Sequence, residues 1–115
     1  MTRRTKRIAE LIERELSAIL SRDIEFPKGS FPNIIDIKVT ADLRQATVWV
    51  GVVPASFRSR VLACLEKNAG EIQDQLNHRL EMKFVPRLTF KIDTSSDQVA
   101  RVNELLGEIK DERSG

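Results

Sequence analysis

The chain has 115 residues, 41% of them hydrophobic, enough to bury one core and hardly two, so a single domain over residues 1–115 is expected, ending in a short polar tail at 111–115. Nineteen Lys and Arg against 17 Asp and Glu leave a formal charge of +2, so affinity for nucleic acid has to come from where the charges sit and not from their sum. One cysteine, Cys64, and one histidine, His78, exclude an internal disulfide and the ligand set of a structural zinc site, and no stretch approaches the roughly 20 apolar residues that span a bilayer.

The basic start, Met1-Thr2-Arg3-Arg4-Thr5-Lys6-Arg7, runs into Ile8-Ala9-Glu10-Leu11-Ile12-Glu13, whose carboxylates interrupt the apolar run of a signal peptide; a reducing, cytoplasmic setting is expected. From Arg3 to about Ser21, Ile8, Leu11, Ile12, Leu16, Ile19 and Leu20 recur at helical spacing and predict an amphipathic helix. Its other side carries Arg3, Lys6, Arg7 and Arg14 with Glu10 and Glu13, and its first two turns are purely basic. Prolines and a glycine in residues 26–33 predict a connector. Ile35, Ile37 and Val39 then alternate with Asp36 and Lys38, which predicts a strand with one buried face.

After a turn at residues 40–45, the β-branched and aromatic run Ala46–Val53 predicts a central strand paired antiparallel with the first. Pro54 stops it, and Ser56 is the expected N-cap of a helix bearing Phe57, Val61, Leu62 and Leu65. Helical spacing resumes with Ile72, Leu76 and Leu80 directly after Gly70, so a kink rather than a loop joins two helices. Leu88 to Asp93 alternates as a third strand, and Val99, Val102, Leu105, Leu106 and Ile109 predict a last helix. The expected class is α+β, a three-stranded sheet with helices packed on one face and the other, with Asp36, Lys38, Thr47, Trp49 and Lys91, left to solvent.

This order resembles the second type of KH fold, but the Gly-x-x-Gly loop with which ordinary KH domains clamp RNA is missing. In its place stands Asn68-Ala69-Gly70, similar to the Ala-x-Gly kink of the ribosome-binding factor A family. The stretches 39–48 and 84–93 and the basic leading helix resemble that family in the same order and spacing. Two residues depart from its pattern: Asn68 stands where alanine is usual, and Gln73 where a basic residue is common. The resemblance implies a KH-like core with an extra C-terminal helix. It also implies a non-catalytic cytoplasmic factor that binds the free or immature 30S subunit through 16S ribosomal RNA and assists late maturation and 16S rRNA processing, most needed in the cold. Its partners would be the 30S subunit, 16S rRNA and other small-subunit assembly factors, with the chain itself a monomer and no cofactor.

Binding structured RNA without a base-reading loop rests on phosphate contacts and shape, so Lys and Arg on rigid elements are the candidate residues. The first cluster is Arg3, Arg4, Lys6 and Arg7, for which a solvated helix surface with Lys6–Glu10 and Glu10–Arg14 pairs is the plainer alternative. The second surrounds the kink: Arg58, Arg60, Lys67, Asn68, Gly70, Arg79 and Lys83. The helix start after Gly70 offers unpaired N–H groups to a phosphate, although Glu71 and Asp74 in that turn equally fit an ordinary helix start. Trp49 reads as half-buried sheet packing, Phe57, Phe84 and Phe90 as core, Cys64 as a small buried hydrophobe and His78 as a surface or helix-packing residue without a companion nucleophile. No catalytic or metal-binding set emerges. The competing function is a protein-interaction module that docks through the exposed sheet face or the terminal helix and ignores RNA.

Overall fold

The computed structural model describes residues 2–95 and 97. Helix α1 spans Arg3–Asp23, strands β1 and β2 span Phe31–Val39 and Gln45–Val53, helices α2 and α3 span Arg58–Lys67 and Ala69–Arg79, and β3 spans Arg87–Ile92. The helix proposed over 99–109 and the tail at 111–115 lie outside the described residues.

Thr2 sets the start of α1: its Oγ1 accepts from the Thr5 N–H at 3.2 Å, and the Thr5 hydroxyl donates back to the Thr2 carbonyl at 3.0 Å. The apolar stripe then buries Ile8, Ile12, Leu16 and Ile19. Strand β2 is central, antiparallel to β1 and parallel to β3. Strict alternation turns Ala46, Val48, Val50 and Val52 to the helices. They meet the α1 stripe, Val61 and Leu65 of α2, Ile72 and Leu76 of α3, and Phe90 of β3 in one core. Each fully buried aliphatic chain there contributes roughly 1.5–3 kcal/mol.

Three local expectations are corrected. Ile35 does not share the buried face with Ile37 and Val39. The β1–β2 register shifts between Ile34 and Asp36, and this bulge hands the inward place to Ile34. Ile35 lies on the outer face, 49% exposed, with its side chain over Gly51. Ser56 caps no helix, because the chain first makes a 3-10 turn over Ala55–Phe57, closed by the Phe57 N–H donating to the Pro54 carbonyl at 3.0 Å. Phe84, read as core, is 77% exposed.

The kink is confined to Asn68, the single residue between α2 and α3. Its side-chain Nδ2 turns back to donate to the Cys64 carbonyl at 2.8 Å, the same oxygen that accepts the Asn68 backbone N–H at 3.1 Å, so Asn68 holds the last turn of α2 with two bonds. The Ile72 N–H donates to the Asn68 carbonyl at 2.9 Å, and helical bonding resumes at once.

Candidate nucleic-acid interface

Cations disfavour a helix N-terminus, where the macrodipole is positive, by typically 0.3–1 kcal/mol each. The first turn of α1 nevertheless holds no acidic residue, while Arg3, Arg4, Lys6 and Arg7 are all exposed. Neither the Lys6–Glu10 nor the Glu10–Arg14 pair forms. Among the described residues Arg14 pairs instead with Glu15 at 3.4 Å, and the four leading cations have no carboxylate partner. Helix stability therefore does not account for this cluster.

The topology adds two further cations to it. Because β1 and β2 turn back at residues 40–45, and the segment after α3 returns to start β3 beside Gln45, both connections arrive at the N-terminal end of α1. Arg4, Arg44 and Lys83 line one cleft there, about 690 Å³ in volume, with Leu43, Met82, Phe84 and Val85 as its apolar walls and Asp42 as its one carboxylate. The turn is tightly held. The Thr40 hydroxyl donates to Asp42 Oδ1 at 2.6 Å and the Arg44 N–H donates to the same oxygen at 3.1 Å. These bonds, the Thr40 one above all, hold the Asp42 carboxyl below its usual pKa, so it is ionised and committed to the turn. Leu43 takes a left-handed φ of +61°.

The second cluster divides. Arg58 makes a bidentate pair with Asp97, both N–O distances 2.7 Å, at the far end of the sheet where β2 and β3 finish. Arg60 lies over the Phe57 ring at 4.2 Å from its centroid. Arg79 reaches Glu15 of α1 at 3.4 Å. Lys67 and Gly70 are exposed and Asn68 is half-buried at the kink, while Lys83 joins the α1 cluster at the cleft. Among the described residues a Cβ placed on Gly70 would meet nothing within 4 Å and the residue is helical, so neither backbone conformation nor packing against those residues calls for glycine there.

Gln73 belongs to the scaffold of this interface. Its Nε2 donates to the Pro86 carbonyl at 3.1 Å, and its Oε1 accepts from the Leu88 N–H at 2.9 Å. Arg44 and the exposed Phe84 are the cleft residues that sequence reasoning missed. A turn arginine has no local mark that it will stand beside the leading helix, and an apolar residue two before a proline reads as core. His78 is exposed with Nδ1 2.7 Å from the Asp74 carbonyl, Cys64 is half-buried near the Glu25 carbonyl, and Trp49 lies half-buried on the outer sheet face with Lys91 over its ring. No His, Cys, Asp or Glu group suited to a metal ion occurs among the described residues, and no described helix is long and apolar enough to cross a membrane.

Residues 4–106 match the family model described as ribosome-binding factor A. A ribosome-binding factor A of Akkermansia muciniphila is 39% identical over 109 residues, covering 95% of this chain and 86% of that protein. The crystal structure of ribosome-binding factor A from Thermus thermophilus superposes with a TM-score of 0.65 at 16% identity, covering 76% of this chain and 93% of that one. A second Thermus thermophilus neighbour, described as a homology model of ribosome binding factor A fitted into the cryo-EM map of a 30S complex, gives a TM-score of 0.58 at 19% identity, covering 72% of this chain and 88% of that one.

Proposed function

Because the chain belongs to the ribosome-binding factor A family, we propose that it is a non-catalytic, cytoplasmic assembly factor that binds the free or immature 30S subunit through 16S rRNA and assists its late maturation and rRNA processing. Residues 1–115 act as one KH-like ribosome-binding domain. The observation that carries this reading is the acid-free basic start of α1, placed against the helix dipole and joined at one cleft by Arg44 and Lys83. A neighbour described within a 30S complex supports the choice of partner. Binding works by population shift: contact with one arrangement of the rRNA favours it over its competitors, and no bond is made or broken.

Arg3, Arg4, Lys6, Arg7 and Lys83 serve as phosphate contacts at one end of the molecule, and Lys67 and Gly70 at the kink. Arg58 and Arg79 contribute chiefly by holding their protein partners in place. The test is co-sedimentation of the purified protein with separated 30S, 50S and 70S particles over a salt series. Salt-sensitive association selective for 30S is expected, and absence from free and immature 30S alike contradicts the reading.

One observation favours a second reading, a protein-docking sheet face. Phe31 at 71%, Val53 at 64% and Ile35 at 49% exposure lie together at one end of the outer face. Capture of a protein partner that survives high salt, with 30S ignored, would select it.

A further inference from the structure

We propose that the cleft between Arg4, Arg44 and Lys83 is a binding site for one unstacked nucleotide of single-stranded RNA, with the base laid on the Phe84 ring and the flanking phosphates held by the three cations. The proposal rests on the RNA-binding reading above and gives it a ligand class that phosphate contacts alone would not supply.

Among the described residues Phe84 is the most exposed of the large hydrophobic side chains, 77% accessible, and it stands in the connection from α3 to β3 and not on a packed element. Its neighbours on either side differ in kind: Met82 and Val85 are half-buried against the core, and Lys83 is exposed. The Lys83 Nζ lies 5.7 Å from the Phe84 ring centroid, so a cation already accompanies the aromatic face. The cleft volume, about 690 Å³, falls within the range of roughly 300–1,000 Å³ that small ligands occupy.

The charges decide between occupants. An apolar protein side chain could also rest on Phe84, but it would bring no compensation for the cations around it. A nucleotide presents both chemistries that the lining asks for, a flat π-face for the ring and anionic oxygens for Arg4, Arg44 and Lys83. Asp42 leaves the lining cationic, one carboxylate against three cations, and its Oδ1 is engaged by the Thr40 hydroxyl and the Arg44 N–H. A base inside a duplex cannot reach the ring, which makes the site selective for unpaired RNA.

The test measures binding of short single-stranded oligo(A) and of an RNA duplex to the full chain and to Phe84→Ala, Phe84→Leu and Phe84→Trp, with 30S co-sedimentation in parallel. The exposure of Phe84 leaves the fold intact in all three. Oligo(A) affinity should fall about 5- to 150-fold in Phe84→Ala, the range seen when a stacking aromatic is removed, fall comparably in Phe84→Leu, and be kept in Phe84→Trp, with duplex binding unchanged. Oligo(A) binding indifferent to Phe84→Ala overturns the site, and if the wild type still sediments with 30S the assembly-factor reading stands without it. Retention by Phe84→Leu of what Phe84→Ala loses overturns stacking in favour of plain apolar contact. Oligo(A) binding that depends on Phe84 in a protein that ignores 30S supports the site and overturns the ribosomal reading instead.

Discussion

The side-chain amide of Gln73 holds Leu88 by its backbone N–H at 2.9 Å, and thereby joins α3 to the free edge of β3. The Arg87 N–H faces inward, donating to the Arg44 carbonyl, so the Leu88 N–H and the Pro86 carbonyl point away from β2. Gln73 satisfies both with one planar group, as the peptide of a fourth strand would.

Removing that group should destabilise the fold without touching a basic residue. With each hydrogen bond worth about 0.5–1.5 kcal/mol, Gln73→Ala should cost about 1–3 kcal/mol. Gln73→Glu keeps the acceptor for Leu88 but loses the donor to Pro86, and should fall between. Urea unfolding midpoints measure this, and a midpoint unchanged in Gln73→Ala would contradict it.

Gly70 should behave in the opposite way. Alanine there meets open space and suits a helix better than glycine, so Gly70→Ala should gain about 0.5–1 kcal/mol in stability. If the bare helix start exists for close approach of the rRNA backbone, the same variant loses 30S affinity. Stability rising while 30S binding falls is the expected result, read by thermal unfolding and co-sedimentation side by side.

Acid should weaken the two ends of the molecule through Asp97 and Asp42. Hydrogen bonds from the Arg58 guanidinium hold the Asp97 carboxyl below its ordinary pKa, and the Thr40 hydroxyl, then the Arg44 N–H, do the same for Asp42. A folded value below the unfolded one means that each carboxylate stabilises the fold fully above the unfolded pKa of about 3.9, and that the contribution is lost as pH falls through the depressed folded value. Asp97→Asn and Asp42→Asn should therefore lower stability near neutral pH and flatten its decline in acid. A variant whose decline below pH about 4 matches the wild type would contradict the assignment.

Helix α1 and strand β2 are legible in the sequence because each shows one unambiguous period, the Ile8 to Leu20 stripe and the Ala46 to Val52 alternation. The bulge is not legible, since Ile34 and Ile35 are identical and either can take the inward place; pairing with Val50 decides it. The candidate interface was legible in part. The basic run at Arg3–Arg7 is local and visible, but Arg58 looks free in sequence and finds Asp97 39 residues away. Arg44 and Phe84 reach the cleft only through the path of the chain, which no local pattern encodes.

The basic start of α1 is the surface proposed to contact rRNA on the 30S subunit. The direct measurement is 30S affinity against salt concentration for the wild type and for a variant with Arg3, Arg4, Lys6 and Arg7 all changed to Ala. Each lost phosphate contact should make the slope of log affinity against log salt shallower by about 1, so the variant should bind more weakly with a distinctly flatter slope. Equal affinity and equal slope for the two proteins would contradict the account.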